Sequence, residues 1–241
     1  MNKKKILVLV AIVVALSLFF YRYSPRKFEF LGHYDKIGAH RVNSLEKLAS
    51  SLSYFDAIEL DLVYVEHSDI LDVVHPPAPS TGLYFSRYVA ALDGATPFLW
   101  LDIKNLNEAN VGRIFQQVHT ILESHNYPID KVLIETRYPK ALPRFANEGY
   151  KTSFYLPQQL YTLDEQALTS TMVVIDSVLQ HQPELAISTS YVDYNLIRMY
   201  FPERSKYLWS LSHRKFGDYS LVRDFLNDET VQLVLVRYKP F

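Results

Sequence analysis

Charged and polar side chains occur at the ends of short apolar segments in the N-terminal half of this chain. The segments are Gly38–Ser44 (GAHRVNS), Ile58–Leu62 (IELDL), Val73–Pro77 (VVHPP) and Leu99–Asn105 (LWLDIKN). Burying a charge without a partner is costly, so we expect these side chains to converge on one another, on a metal ion or on a charged ligand. Together they supply the histidines, carboxylates, arginine and lysine that metal-assisted phosphodiester cleavage uses.

Three of the carboxylates are candidate metal ligands. Side chains alternate along a strand, so Glu59 and Asp61 share one face of their segment, and Asp102 shares a face with Lys104. Carboxylate oxygens are hard ligands that select Mg²⁺ or Ca²⁺ over Zn²⁺. The sequence therefore predicts a divalent cation, Mg²⁺ or Ca²⁺, held by Glu59, Asp61 and Asp102. The alternative is that Arg41 and Lys104 neutralise these carboxylates by ion pairing.

Further residues are predicted to bind the substrate. Arg41 offers a bidentate guanidinium and Lys104 a compact ammonium to a phosphate group, and both roles are compatible with charge balance for the carboxylates. Glu135 and Trp209 lie at or near later strand ends, where they would line a pocket and set specificity. Tyr155 is a candidate of the same kind. Packing inside the fold is the alternative for each of these last three residues.

The chain alternates short strand-like runs with amphipathic helical stretches. This alternation predicts a parallel sheet with helices outside it, and eight candidate strands predict a (β/α)8 TIM barrel. In such a barrel the C-terminal ends of the strands meet at one mouth, which is where the polar groups fall. The predicted strands are Ile37–His40, Ala57–Leu62, Phe98–Ile103, Val132–Glu135, Thr152–Tyr155, Leu185–Ser188, Tyr207–Leu211 and Val231–Val236, and the clearest helices are Ser44–Leu52, Val111–Ser124 and Asp193–Phe201.

Two stretches fit the alternation less simply. Asp69–Val74 has the pattern of an extra strand inside the second connection. Between Leu160 and Leu185 the pattern allows either a strand at Met172–Ile175 or a helix at Glu165–Gln180.

The order of the motifs resembles that of a known superfamily. The chain carries, in order, His40-Arg41, Glu59-Leu60-Asp61, His75 and Asp102-Ile103-Lys104. This order is similar to that of the TIM-barrel phosphodiesterases, which include the glycerophosphodiester phosphodiesterases and the phosphatidylinositol-specific phospholipases C. The residues of these motifs are most similar to those of the menorin-type branch. The similarity is carried by Asn43-Ser44, His75-Pro76-Pro77 and Leu101-Asp102-Ile103-Lys104.

The resemblance covers roughly Gly38 to Asn105 and includes four departures from the better-known members. Val42 stands where they usually have Gly, and Asn43-Ser44 where Pro-Glu-Asn-Thr often follows, so one possible carboxylate is missing. Pro76 stands where Asp often follows the second His, and Asp102 where the third metal carboxylate is usually Glu. These departures are shared with the menorin-like pattern.

The resemblance implies a reaction and roles for the two histidines. His40 and His75 would be the acid/base pair, one taking a proton from the attacking hydroxyl or water and the other protonating the leaving oxygen, for which imidazole has a suitable pKa. The substrate would be a phosphodiester with a small polyol or a lipid headgroup. The alternative is a non-catalytic barrel that binds a ligand or partner through the same mouth.

The N-terminus predicts a membrane segment. Lys3, Lys4 and Lys5 precede the apolar run Ile6–Phe20, and no small residues mark a cleavage site after it. We therefore expect an uncleaved anchor at residues 1–23, a linker at 24–35 and a barrel at 36–241 that lies outside the cytoplasm.

Composition narrows the class of partner. The 25 basic and 26 acidic residues nearly balance, so the net charge of the chain does not favour binding to nucleic acid. The chain has no cysteine, which excludes disulfides and thiol chemistry.

Overall fold

The computed structural model describes residues 3–209 and 219–240, apart from the side chains of residues 19, 20, 22 and 23. Strands and helices alternate through these ranges. The strands are β1 (Ile37–His40), β2 (Ala57–Val65), β3 (Ile70–Val73), β4 (Phe98–Ile103), β5 (Val132–Thr136), β6 (Lys151–Tyr155), β7 (Ala186–Ser190), β8 (Lys206–Trp209) and β9 (Val231–Arg237). The helices are α1 (Lys3–Tyr23), α2 (Leu45–Ser51), α3 (Phe85–Ala90), α4 (Val111–Ser124), α5 (Pro143–Ala146), α6 (Glu165–His181), α7 (Tyr194–Tyr200) and α8 (Tyr219–Asn227).

Eight of the described strands form a closed parallel barrel. Their order around the barrel is β1, β2, β4, β5, β6, β7, β8 and β9, and β9 pairs with β1 to complete the ring. The ninth, β3, pairs antiparallel with β2 at the edge. The fold is therefore the predicted TIM barrel, and the extra strand predicted at Asp69–Val74 is confirmed as β3.

The alternation of side chains along the strands divides the core into two layers. Outward residues such as Ile58, Leu60 and Leu101 are fully buried beneath the helices. Inward residues fill the barrel with a smaller cluster that includes Trp100 and Tyr207. The rings of Trp100 and Tyr207 meet edge to face at 5.3 Å, so the lower part of the barrel is packed and only its mouth is free for ligands.

The open alternative between 160 and 185 is resolved in favour of a helix. Asp164 caps α6 by accepting a hydrogen bond from the backbone N–H of Ala167 at 2.8 Å. Met172, Ile175 and Leu179 are buried at a helical spacing. A β-strand would turn Met172 and Ile175, which are three residues apart, to opposite faces. The strand alternative at Met172–Ile175 is therefore wrong.

Several strand limits differ from the predicted ones. β2 continues to Val65 because β3 pairs with its second half, between Leu62↔Val73 and Val65↔Ile70. β8 begins one residue before the predicted Tyr207, and the end predicted at Leu211 lies outside the described residues.

The predicted membrane helix is not supported. Residues 6–20 lie within α1 (Lys3–Tyr23), but among the described residues no helix is long and apolar enough to cross a bilayer. The hydrocarbon core of a bilayer requires about 20 apolar residues, and the uncharged stretch between Lys5 and Arg22 is shorter than this.

Gly38 allows β1 to fit closely against its neighbours. A Cβ atom at this position would lie 3.2 Å from the carbonyl oxygen of Ala57, 3.2 Å from Leu235 Cδ2 and 3.3 Å from Ala57 Cβ. Ala57 is held in β2 by its ladder to β4, so its backbone cannot move aside without disturbing the sheet. Glycine is therefore required in the strand that carries His40.

We expect Gly38→Ala to lower the free energy of unfolding by about 1–3 kcal/mol, the usual cost of overpacking a core. Gly112 is the matched control, because a Cβ there meets nothing within 4 Å and alanine favours the helix in which it lies. Gly112→Ala should leave stability unchanged or raise it by up to about 1 kcal/mol. Equal effects of the two substitutions in urea denaturation would contradict the close-packing argument.

Candidate active site

Acidic side chains from neighbouring strands form a row across the mouth of the barrel. In the register of the sheet Asp61 of β2 pairs with Asp102 of β4, and Asp102 pairs with Glu135 of β5. Glu59 lies two residues before Asp61 on the same face and is in register with Trp100. All four carboxylates are buried, so the barrel concentrates negative charge where little water can solvate it.

Glu59, Asp61 and Asp102 have the geometry of a cation site. Each offers one carboxylate oxygen, and these oxygens all lie within 4.8 Å of one another. Burial, followed by repulsion from Asp61, raises the pKa of Glu59 well above its ordinary value. Burial also raises the pKa of Asp102. Three crowded, poorly solvated oxygen donors fit a hard divalent cation, so these residues are suited to hold the predicted Mg²⁺ or Ca²⁺.

Lys104 partly neutralises this cluster. Its Nζ lies 2.5 Å from Asp61 Oδ1 and also forms a short ion pair with Asp102 Oδ2. Although burial opposes its charge, attraction from Asp102, Asp61 and Glu59 raises the pKa of Lys104 above its ordinary value. The ion pairing predicted as the alternative to a metal is therefore present for Lys104.

A strained turn after β1 brings a backbone donor to the cluster. Arg41 has a φ of 56°, a left-handed conformation that costs a residue other than glycine about 1–3 kcal/mol. In this conformation its backbone N–H donates to Glu59 Oε2 at 2.5 Å. The Nζ of Lys47 donates to the carbonyl oxygens of His40, at 2.6 Å, and of Arg41, at 2.9 Å, and so holds the turn.

The two predicted acid/base residues lie beside the cluster. His40 Nε2 is 3.7 Å from Glu59 Oε2. Burial, with a smaller contribution from Arg41, lowers the pKa of His40 to about 3, so this imidazole is unprotonated at neutral pH. The other histidine, His75, accepts a hydrogen bond at Nε2 from the Arg41 guanidinium at 2.8 Å. By contrast, His33 bonds Asn227 near α8, in keeping with a structural role.

Glu135 and Trp209, which we predicted to bind substrate, line the same cavity. Glu135 accepts hydrogen bonds from Trp100 Nε1, at 2.8 Å, and from Ser188 Oγ. Burial, followed by repulsion from Asp102, raises the pKa of Glu135 well above its ordinary value. Trp209 stacks on Tyr155, with ring centroids 5.2 Å apart.

Sequence reasoning missed three residues of the mouth. Asn43 Nδ2 donates to Asp61 Oδ2 at 2.6 Å, and the Asn43 side-chain oxygen accepts from the Asp61 backbone N–H at 3.0 Å. The other two are Lys47, on the first helix after β1, and Arg137, which lies beside Tyr155. Arg137 follows the end of β5 directly, and a cation in that position was a signal that could have been used. Nothing in the sequence indicates that Lys47 turns back towards β1.

The cavity is large enough for a substrate as well as a cation. It has a volume of about 580 Å³ and is lined by His40, Arg41, Glu59, Asp61, His75, Asp102, Lys104 and Glu135, with Arg137, Tyr155, Gln158 and Trp209 among the other lining residues. The predicted site residues, from seven different strands or their connections, are thus brought to one mouth.

Comparison with solved structures finds barrels of the same kind. A glycerophosphodiester phosphodiesterase from Parabacteroides distasonis is 12% identical, with a TM-score of 0.57, and the match covers 83% of this chain and 91% of that one. A phosphodiesterase from Oleispira antarctica, solved in complex with the product sn-glycerol-3-phosphate, is 13% identical, with a TM-score of 0.57 over 86% of this chain and 94% of that one. These proteins share the TIM-barrel fold.

At this identity the likeness extends to the fold alone. No family model and no curated protein sequence matches the chain. The menorin-type resemblance therefore stays a prediction.

We expect Mg²⁺ or Ca²⁺ to raise the thermal midpoint of the full chain, because a cation bound only to the folded state relieves the repulsion within the cluster. At a cation concentration of 100 times Kd the gain would be about 2.7 kcal/mol, which is about 5–10 °C for a protein of this size. Differential scanning calorimetry with and without the cation would measure the shift.

Asp61→Asn should abolish this shift, because it removes one ligand charge. Asp72→Asn is the matched control, since Asp72 is also buried but lies on β3 outside the cluster, and this variant should retain the shift. A wild-type protein whose midpoint does not respond to millimolar cation would show that Lys104 alone neutralises the cluster.

Proposed function

We propose that this protein is a divalent-cation-dependent phosphodiesterase that hydrolyses a glycerophosphodiester or a phospholipid-headgroup phosphodiester. The observation that carries the proposal is the meeting, in one cavity, of a buried carboxylate triad with two histidines and an arginine. The resemblance of the motifs and the likeness to phosphodiesterase structures support it. Glu59, Asp61 and Asp102 would hold the cation, which supplies neutralisation of the phosphate charge when bound.

His40 is placed to act as the general base, because it lines the cavity beside the carboxylate cluster. Burial leaves its imidazole unprotonated at neutral pH, but the same lowering of the pKa weakens it as a base, so the imidazolium needs a negative partner. Glu59, 3.7 Å away, would stabilise the imidazolium formed when His40 takes the proton, provided that its own carboxyl group is ionised.

The resemblance of the motifs gives His75 the role of proton donor to the leaving oxygen. An arginine side chain can only donate hydrogen bonds, so the bond from Arg41 fixes Nε2 of the neutral His75 ring as the acceptor and leaves the proton on Nδ1. To act as the acid, His75 would have to take up a second proton on Nε2, which requires Arg41 to release this nitrogen and turn to the phosphate. The remaining donors of the Arg41 guanidinium are free to bind a phosphate oxygen and to stabilise charge that develops on it.

One observation favours the alternative of a non-catalytic binding barrel. Lys104 contacts both Asp61 and Asp102, so two of the three carboxylates already have a positive partner. In that case the mouth would bind an anionic ligand through Arg41 without cleaving it. Turnover by the purified protein separates the two proposals.

We expect the full chain to hydrolyse glycerophosphodiesters in the presence of Mg²⁺ or Ca²⁺, and to lose about a hundredfold or more in kcat on His40→Ala or His75→Ala, the usual contribution of a positioned acid or base. A substrate with a nitrophenol leaving group needs no general acid, so it should restore turnover to His75→Ala and leave His40→Ala impaired. Product release measured for both substrates checks the expectation.

His119→Ala is the matched control, because His119 is partly buried like His40 but packs on Phe115 and Tyr150, away from the mouth. Its turnover should equal that of the wild type. Wild-type turnover in His40→Ala would exclude its role as base, and a complete lack of hydrolysis by the wild type would favour the binding barrel.

The location of the barrel outside the cytoplasm stays a prediction. Alkaline phosphatase is active only where its disulfides form, in an oxidising compartment. A fusion of this enzyme to the C-terminus should therefore be active, and an inactive but intact fusion would place the barrel in the cytoplasm.

A further inference from the structure

A cation and two aromatic rings form the side of the mouth that the proposed chemistry does not use. Arg137 follows β5, Tyr155 ends β6 and Trp209 ends the described part of β8. The guanidinium carbon of Arg137 lies 4.7 Å from the centroid of the Tyr155 ring, and the Tyr155 and Trp209 rings stack with 18° between their planes. We refer to Arg137, Tyr155 and Trp209 as the cation–aromatic wall. His40 and His75 come from β1 and from the connection after β3, so the wall belongs to a different part of the rim.

The charge of Arg137 is not neutralised within the described residues. It forms no ion pair with any of their carboxylates, and its side chain is exposed to the cavity that it lines. Of the other cations, Lys104 pairs with Asp61 and Asp102, Lys47 is held by backbone carbonyls, and Arg41 bonds His75 on the side of the mouth that binds the scissile phosphate in the proposed function. Arg137 is therefore a positive group that is accessible to a ligand.

The wall fixes the position of this charge. Arg137 and Trp209 both pack on the Tyr155 ring, at 4.7 Å and 5.2 Å from its centroid. The Tyr155 hydroxyl is held in turn by Gln158 Nε2 at 2.6 Å. A guanidinium that rests on an aromatic ring loses less side-chain freedom when it binds a ligand, and its planar donors match the oxygens of phosphate or carboxylate.

We propose that Arg137, held on the cation–aromatic wall, forms a second anion-binding subsite that takes a phosphate monoester or carboxylate group of the ligand. The inference rests on the proposed function, in which the scissile phosphodiester lies at the carboxylate cluster and the second anion is carried by the leaving part of the substrate. The cavity of about 580 Å³ is in the range that holds a ligand long enough to reach both groups. Substrates with an additional negative charge are then bound in preference to uncharged polyol headgroups.

Calorimetric titration of the full chain tests the subsite without requiring turnover. The probes are the monophosphate of butanediol, its terminal bisphosphate and the phosphate of hydroxybutyrate, which differ only in whether the far end is a hydroxyl, a phosphate or a carboxylate. We expect the wild type to bind at least one of the two-anion probes about tenfold more tightly than the monophosphate, as for a charge-assisted hydrogen-bonded pair. Tighter binding of the bisphosphate alone would identify phosphate as the group, and equal gains would mean that either anion is accepted.

Arg137→Gln should remove the preference, because it weakens binding of the two-anion probes more than binding of the monophosphate. Arg144→Gln is the matched control, because Arg144 also lies over an aromatic ring, that of Phe115 at 3.9 Å, but away from the mouth. This variant should keep the preference. Equal binding of all three probes to the wild type, no binding of any probe, or a preference that survives Arg137→Gln would overturn the proposal.

The titration that tests the subsite and the hydrolysis assay that tests the proposed function can fail independently of each other. Hydrolysis of glycerophosphodiesters without a preference for two-anion probes would leave the phosphodiesterase proposal intact and exclude the subsite. A preference that depends on Arg137 in a protein without turnover would establish the subsite in a binding barrel.

Discussion

Repulsion among buried carboxylates is the constraint on which the mouth of this barrel depends. Asp61, Asp102 and Glu135 lie side by side in the sheet, with Glu59 one layer below. Negative charges this close cannot all ionise in a poorly solvated site unless positive charge or protons offset them. Lys104 supplies one such charge, and the raised pKa of Glu135 favours its neutral form. The pKa values of Glu59 and Asp102 are raised as well, and the proposed cation would favour the ionised forms of both.

The backbone after β1 is shaped by the same constraint. Arg41 adopts a strained conformation in which its N–H reaches Glu59, and hydrogen bonds to a charged acceptor are about twice as strong as neutral ones. Lys47 anchors the two carbonyls of this turn. The strain is thus offset by contacts to the carboxylates, and the turn places the Arg41 side chain where it can bond His75.

The fold was largely predictable because the barrel has a simple pattern in the sequence, in which apolar runs end in polar groups and alternate with amphipathic helices. The residues near Gly38–Asn105 could be assigned to one mouth for the same reason. The register between the strands could not be predicted, since no local feature of the sequence indicates that Asp61, Asp102 and Glu135 form a row. Contacts between distant segments were also hidden, such as Ser188 with Glu135 and Arg137 with Tyr155. The apolar run 6–20, the lysines before it and the missing cleavage site led to the prediction of a membrane-spanning helix. Among the described residues no helix is long and apolar enough to cross a bilayer.

The packing of Trp100 and Tyr207 beneath the carboxylates closes the barrel from below. Trp100 has no exposed surface, and its indole N–H is committed to Glu135, so among the described residues the lower part of the barrel is filled. A cation and a substrate that bind in the proposed way would then enter from the side of the mouth. A group held near the rim would then lie between the solvent and a group bound at the carboxylates, so the depth at which each product binds would influence the order in which the products leave.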